Sequence, residues 1–336
     1  MHLFWHAAAA ARPRLALAPA AAAAIVIAVA GGCGDRTITS PGRGGVIDRP
    51  IALLSASSND VTSTELYFVS ENGGTSVEVP TFSGPKWEVR WSGDGRHLAI
   101  AGTTLGVTSS QVTLASDVWV LNADGTGLQQ ITHDGISGSV SWLPDGRLAF
   151  VSVPASGVPQ WFAVPAAGGT PVPLPLRNGQ PVFTPDWARV GSRMTFTENA
   201  TVYTAAVDGT SERALASGVL PRWSPTGDRL AFMTRLGDTP TLVVVPVDDA
   251  SHVTRVADLS DLTDAPSGIA WSPDGSRLAW VRPTAAAVQA VVAPAGGSSL
   301  PMPLVQRSVG VVAYDVDVDW RPTAATSPAS ATGAPR

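Results

Sequence analysis

Short apolar runs alternate with turn-forming residues along most of the chain. Leu230-Ala231-Phe232, for example, follows a Pro-Thr-Gly turn, and a second apolar run from Leu242 to Val245 comes soon after. Runs of this length bounded by Gly, Pro, Asn and Asp are typical of β-strands joined by tight turns. No convincing helical pattern accompanies them. The pattern therefore predicts an all-β chain of many short strands.

One hairpin pattern recurs along the chain, each time beginning at a Trp. The clearest copy starts at Trp271 and reads Trp-Ser-Pro-Asp-Gly-Ser-Arg-Leu-Ala-Trp. Each copy predicts a strand ending at the Trp, a turn in which Gly takes a positive φ, and a returning strand. The spacing between copies is close to the length of propeller blades, roughly 40–50 residues. The six copies begin at Trp91, Trp142, Trp187, Trp223, Trp271 and Trp320.

The two ends of the chain are predicted to complete one blade. A second turn in each repeat, such as Asp124-Gly125, gives four strands per repeat. The last Trp copy has no returning strand, and the first apolar run, Ile51 to Leu54, has no Trp strand before it. Residues 50–80 then supply three strands and residues 309–320 the fourth, which protects strand edges that would otherwise be open. We therefore expect a six-bladed β-propeller of four-stranded blades over residues 50–322, closed by pairing of N-terminal strands with the C-terminal strand.

These repeats resemble those of TolB-type six-bladed propellers. The resemblance rests on the Trp-Ser-Pro-Asp-Gly hairpins and on the segment from Asn122 to Gly127, and it covers residues 50–322. It implies a rigid ring of blades that contacts another protein of the cell envelope. Because this fold serves many functions, the resemblance specifies the architecture better than the activity.

The first 32 residues are predicted to be an export signal. Arg12 and Arg14 precede an apolar run from Leu15 to Ala30, and two Gly then lead to Cys33, the only cysteine. A positive flank, a short apolar core and small residues are typical of a secretory signal. The segment resembles a bacterial lipoprotein signal, which implies cleavage before Cys33 and lipidation of its thiol. The alternative is an ordinary cleaved signal, or an Ala-rich anchor, with an incidental cysteine.

The segments outside the repeats, and the charge of the chain, narrow the possible partners. Residues 33–49 are predicted to form the lipidated Cys and a flexible tether, and residues 323–336 are predicted to form a disordered tail. Both segments are rich in small and polar residues. The chain has 22 basic and 27 acidic residues, and two of the basic ones lie in the predicted signal. An acidic exported domain is a poor candidate for nucleic-acid binding. We expect a protein anchored to a membrane through lipid, in the periplasm or on the cell surface.

The sequence offers no recognisable catalytic constellation. It contains no Gly-x-Ser-x-Gly elbow, and His97, His133 and His252 are scattered over different parts of the repeats. Three scattered His with no paired Cys do not predict a zinc site. We therefore expect a non-catalytic protein without a cofactor, and we expect the repeat Trp residues to pack between blades rather than to stack on a ligand.

Charged residues directly before the repeat Trp residues are the first candidates for a site. The strand that holds them is expected to line the central channel. Asp186 and Arg222 would lie in adjacent blades, and so would Asp319 and Arg90 across the ring closure. They predict inter-blade ion pairs at the channel. The alternative is a set of solvated charges at strand ends.

Three aspartates near the C-terminus are the second candidate. Asp315, Asp317 and Asp319 alternate with Val316 and Val318, so in a regular strand they would share one face. Three carboxylates on one face repel each other unless they are paired or bound to a cation. If they bind a cation, we expect calcium, since calcium takes oxygen ligands.

Three functions fit these observations. The first is a non-catalytic protein-interaction scaffold of the envelope. The second is a glycan- or small-ligand-binding lipoprotein that uses the mouth of the channel. The third is a propeller enzyme, such as a lyase or a dehydrogenase, which would need His, Arg and Tyr clustered at the channel, and the chain has only three Tyr.

Overall fold

The structure, a computed structural model, describes residues 49–57, 64–74, 76–107, 112–154, 158–174, 176–179, 182–259, 268–283, 288–305 and 313–323. The predicted signal, Cys33 and nearly all of the tether and tail lie outside the described residues. No helix in the described part of the chain is long and apolar enough to cross a membrane.

Within the described residues, 24 strands form six blades of four antiparallel strands each. The first three are β1 (Ile51–Ser57), β2 (Thr64–Val69) and β3 (Ser76–Val79). Blade 1 has β4 (Lys86–Trp91), β5 (His97–Val107), β6 (Val112–Asn122) and β7 (Gln129–Gln130). Blade 2 has β8 (Ser137–Trp142), β9 (Leu148–Ser152), β10 (Gln160–Val164) and β11 (Val172–Leu174). A 3₁₀ turn, Leu176–Gly179, follows.

The remaining blades repeat this order. Blade 3 has β12 (Phe183–Trp187), β13 (Arg193–Glu198), β14 (Thr201–Ala206) and β15 (Arg213–Ser217). Blade 4 has β16 (Val219–Trp223), β17 (Arg229–Leu236), β18 (Thr239–Pro246) and β19 (Thr254–Asp258). Blade 5 has β20 (Ile269–Trp271), β21 (Arg277–Pro283), β22 (Val288–Pro294) and β23 (Met302–Pro303). The last strand, β24 (Ala313–Trp320), joins β1, β2 and β3 to form blade 6.

Strand β24 closes the ring. It pairs antiparallel with β1, with Ile51 opposite Trp320 and Leu53 opposite Val318. The predicted six-bladed propeller, closed by pairing of the two ends of the chain, is confirmed. The first strand of each blade contacts the first strands of both neighbouring blades, so these six strands surround the centre of the ring.

The hydrophobic core is divided among the six interfaces between blades. Each interface holds one cluster of buried residues, and each cluster contains one of the repeat Trp residues. A blade is buried on both faces: Leu98 and Ile100 pack towards blade 6, whereas Ala99 and Ala101 pack towards blade 2. This explains why the returning strands read as continuous apolar runs rather than as an alternation with polar residues.

One face of the ring is built from tight turns. The turn between the first and second strands of a blade and the turn between the third and fourth lie at the same end, because neighbouring strands are antiparallel. A hydrogen bond from Ala123 N to Arg96 O, 2.8 Å long, joins two such turns in blade 1. We call this side the turn face. The described chain also begins and ends there, since Arg321 N donates to Pro50 O at 2.7 Å.

Candidate functional site at the central channel

Side chains from two positions of the first strands meet at the centre of the ring, except where a strand bulges, as at Leu220, which packs into the core between blades 4 and 5. The first position, or layer, is the residue before each repeat Trp, and the second lies two residues earlier. The first layer contains Arg90, Ser141, Asp186, Arg222, Ala270 and Asp319, and the second contains Glu88, Ser139, Thr184, Leu220, Gly268 and Asp317. We call the six charged members of these layers the channel cluster.

Arg90 is held by two short ion pairs. Its Nη1 lies 2.6 Å from Asp317 Oδ2, and its Nη2 lies 2.9 Å from Glu88 Oε1. Burial lowers the pKa of Arg90, but the carboxylates of Asp317 and Glu88 outweigh burial and raise it above its ordinary value. This guanidinium therefore remains charged and joins blade 6 to blade 1.

Arg222 has two longer ion-pair contacts. Its Nη1 lies 3.7 Å from Asp186 Oδ1, so the structure brings together the two residues that the sequence predicts to pair between blades 3 and 4. Its Nη2 also lies 4.0 Å from Glu88 Oε1. Because blade 4 lies opposite blade 1, this second contact crosses the channel. Burial and repulsion from Arg90 lower the pKa of Arg222, while the nearby acids oppose the shift.

The ion pair that Arg90 makes with blade 6 differs from the predicted one. Arg90 pairs with Asp317, and Asp319 instead accepts a hydrogen bond from Trp91 N at 2.6 Å. The long Arg90 side chain reaches the deeper layer, where Glu88 and Asp317 lie, whereas Asp319 stays level with the next Trp. Asp317 and Glu88 both stand three residues before a repeat Trp, and this shared spacing is the sequence signal for the deeper layer.

Asp317 is fully buried, and burial raises its pKa to about 6 although Arg90 opposes the shift. Its Oδ2 accepts from Val89 N at 2.9 Å as well as from Arg90. Its Oδ1 has no donor among the described residues. Burial likewise raises the pKa of Asp319, against the influence of Arg90 and Arg189.

Each acid of the channel cluster joins its own blade to the next one. The carboxylate accepts a hydrogen bond from a backbone N–H on the first strand of the following blade. The four bonds are Val140 N to Glu88 at 3.2 Å, Val89 N to Asp317 at 2.9 Å, Trp91 N to Asp319 at 2.6 Å and Trp223 N to Asp186 at 2.8 Å. Charge-assisted bonds of this kind are stronger than neutral ones, so the cluster stiffens the ring.

The predicted calcium face is not formed. The register between β1 and β24 shifts by one residue, with Leu54 opposite Asp317 and Ser55 opposite Asp315. The resulting bulge at Val316 ends the alternation, so Asp315 turns to blade 5, where it accepts from Ala290 N at 2.7 Å. Within the described residues, no three His, Cys, Asp or Glu side chains are grouped so that they could hold a metal ion.

A second inter-blade contact, which the sequence interpretation did not assign, lies near the turn face. Arg residues six positions after three of the repeat Trp residues stack on the Trp of the next blade. The pairs are Arg193 over Trp223 at 4.9 Å, Arg229 over Trp271 at 5.0 Å and Arg277 over Trp320 at 4.8 Å. His97, at the same position, stacks with Trp142 at 6.3 Å. The recurrence of Arg at one position of the repeat was the available signal.

The chain's single lysine is buried at the junction of blades 6 and 1. Lys86 is 0% exposed, and its Nζ donates to Thr64 O at 2.6 Å and to Gly84 O at 3.1 Å. The ammonium also lies 4.7 Å from the centre of the Phe82 ring. Burial lowers the pKa of Lys86, and Glu65 opposes the shift.

Solved structures of TolB proteins share this fold. TolB from Acinetobacter baumannii aligns with a TM-score of 0.63 and 16% identity, over 81% of this chain and 66% of that one. A putative TolB from Agrobacterium tumefaciens aligns with a TM-score of 0.52 and 16% identity, over 82% of this chain and 99% of that one. This chain therefore spans slightly less than two thirds of the A. baumannii protein. The likeness establishes a TolB-like six-bladed propeller fold.

No protein-family model matches the sequence, and no curated protein matches it either. The fold is thus recognised through structure at low sequence identity.

Proposed function

We propose that this protein is a lipid-anchored, extracytoplasmic propeller that binds another protein of the cell envelope and catalyses no reaction. One observation carries the proposal: the four channel acids and Arg90 all bond from one blade to another. These groups stiffen the ring, which leaves the turns and loops at its two faces as the parts free to bind. The TolB-like fold, seen at 16% identity, supports a protein partner.

The position of the chain ends supports an orientation at the membrane. Arg49 and Pro50 enter the ring at the turn face, so the tether from Cys33 would leave from that side. A tether of this length spans at most about 60 Å when extended. The turn face would then face the membrane, and the opposite face would meet the partner.

The anchor is tested by fractionating cells that express the full chain or its Cys33→Ser variant. The natural chain is expected in the membrane fraction, and the variant in the soluble extracytoplasmic fraction, because it cannot carry the lipid. Equal membrane retention of both chains would show that Cys33 is not the anchor.

The partner is tested by photo-crosslinking in the protein's own envelope. A photoreactive amino acid replaces Asp238, exposed on the face away from the turns, or Asp248, exposed on the turn face of the same blade. We expect a discrete protein adduct at Asp238 and none at Asp248, and the identified partner should form a stoichiometric complex with the purified propeller. Absence of a protein adduct at both positions, together with binding of an offered glycan, would favour the ligand-binding alternative.

A further inference from the structure

The pattern of residues directly before the repeat Trp residues recurs after three blades. From blade 1 to blade 6, the residues before the repeat Trp are Arg, Ser, Asp, Arg, Ala and Asp. Arg222 in blade 4 therefore corresponds to Arg90 in blade 1. The surrounding contacts repeat as well, since Trp142 Nε1 donates to Arg90 O at 2.9 Å and Trp271 Nε1 donates to Arg222 O at 3.1 Å. The ring thus has two equivalent arginine positions.

The two positions differ in the carboxylates that surround them. Arg90 receives Glu88 from its own strand and Asp317 from the preceding blade. Because a bulge in β16 and another in β12 insert one residue before Arg222 and Asp186, the residues at the equivalent places around Arg222 by strand pairing are Val219 and Phe183. Neither has a carboxylate, so the second position lacks the two acids that hold the first arginine.

The Arg222 guanidinium is consequently left with unmet hydrogen-bonding capacity. The residue is only 9% exposed, and its contacts with Asp186 and Glu88, at 3.7 and 4.0 Å, are too long for hydrogen bonds. No hydrogen bond joins this guanidinium to any described side chain or carbonyl oxygen. A guanidinium has five N–H donors, and those of Arg222 are open to the channel rather than bonded to the described residues.

We propose that Arg222 is the binding site for a carboxylate group of an external ligand. The ligand would take the place at Arg222 that Asp317 and Glu88 take at Arg90. The planar guanidinium suits a carboxylate because it can donate two parallel hydrogen bonds. Solvent reaches the site, since the side chains of Arg222, Asp186 and Glu88 keep 11%, 20% and 15% of their exposure. Asp186 and Glu88 lie close to the positive charge of Arg222, but they accept no hydrogen bond from its N–H groups.

The test uses acetate as the probe and thermal unfolding as the measurement. Sodium acetate is compared with sodium chloride at the same ionic strength and pH. For the full chain we expect acetate to raise the unfolding midpoint by about 2–4 °C at a tenfold excess over its Kd. The response should be lost in Arg222→Gln.

Thr184 provides a matched pair of variants. Thr184→Asp adds a carboxylate to the β12 bulge, two residues before Asp186, and should raise the midpoint without acetate and abolish the acetate response. Thr184→Asn adds no charge and should keep the response. Thr184 has φ 49°, a conformation that Asp and Asn both tolerate better than Thr, so any difference between the two variants reports the charge.

Three results would overturn the proposal: equal effects of acetate and chloride on the natural chain, an acetate response that survives in folded Arg222→Gln, or equal responses of the Asp and Asn variants at position 184. None of these readouts depends on the lipid anchor or on a protein partner. The site can therefore fail or succeed independently of the proposed scaffold function.

Discussion

Asp317 couples the stability of the ring to pH. Its pKa is raised by burial to about 6 in the folded protein, whereas an exposed aspartate has a pKa near 4. Between about pH 4 and pH 6 the folded state therefore binds more protons than the unfolded state, and stability falls as pH rises through this window. Arg90 reduces the effect but does not reverse it.

Replacing Asp317 by Asn should remove this part of the pH dependence. We expect the free energy of unfolding of the natural chain to fall by about 1 kcal/mol more than that of Asp317→Asn between pH 5 and pH 7. Urea unfolding at the two pH values measures the difference. Parallel pH profiles for the two proteins would show that Asp317 is ionised throughout.

The charged residues before the Trp residues could be identified from the sequence, but their partners could not all be. Asp186 and Arg222 lie close together because both stand at the same level of adjacent blades. Asp319 does not pair with Arg90, because the long Arg90 side chain carries its guanidinium to the layer that holds Glu88 and Asp317. The orientation of Asp315 depends on the bulge at Val316, for which an alternating Asp-Val pattern gives no signal.

At the scale of hairpins, the Arg–Trp contacts are the recurring bonds between one blade and the next. Arg229 lies 5.0 Å from the Trp271 ring centre, and its Nη2 also donates to Gly275 O at 3.1 Å. The hairpin that begins at Trp142 is one residue shorter than the other copies, and its Arg147 pairs with Asp145 of the same turn at 2.7 Å. One missing residue thus replaces a contact between blades with a local one.

This difference predicts unequal effects of the same substitution. Arg229→Met should lower the free energy of unfolding by about 1 kcal/mol, because it removes a cation–π contact and a hydrogen bond. Arg147→Met should cost less than about 0.5 kcal/mol, since exposed ion pairs contribute little. Chemical unfolding of both variants provides the measurement, and a larger loss at Arg147 would contradict the role given to the stack.

The hairpins were predictable because their signals are local: a Trp, a turn with Gly and an apolar return strand. The bulges in the first strands, near the centre of the ring, could not be predicted from the sequence. Ser139, Thr184 and Leu220 adopt φ of 39°, 49° and 56° at the same place in three first strands. Ser, Thr and Leu give no sequence indication of this conformation, since Gly, Asn and Asp are the residues that usually adopt it.

For the whole molecule, closure of the ring depends on the last strand. Strand β24 pairs with β1 and contributes Asp315 to the contact with blade 5 and Asp317 and Asp319 to the contact with blade 1. Its removal would leave blade 6 without its first strand and would expose the edge of β1. Closure was predictable because the unmatched strands at the two chain ends could be counted.

Two truncations of the C-terminus should therefore have very different effects on thermal unfolding. Removal of residues 313–336 should abolish the cooperative unfolding transition, because it takes away β24 and the bonds on both of its sides. Removal of residues 324–336 alone should leave the thermal midpoint within about 1 °C. Calorimetry distinguishes the two, and a cooperative transition in the longer truncation would mean that the remaining blades close without β24.

The burial of Lys86 makes the rate of its chemical modification a measure of how often the ring opens. The chain has one ε-amine, and in the closed ring it is sealed between β2 and β4. An acylating reagent can reach it only when blades 6 and 1 separate, so the rate at which this amine is modified follows the population of open rings. Peptide mass analysis at Lys86 would then time ring opening without any introduced label, and ligands that hold the ring closed would slow it.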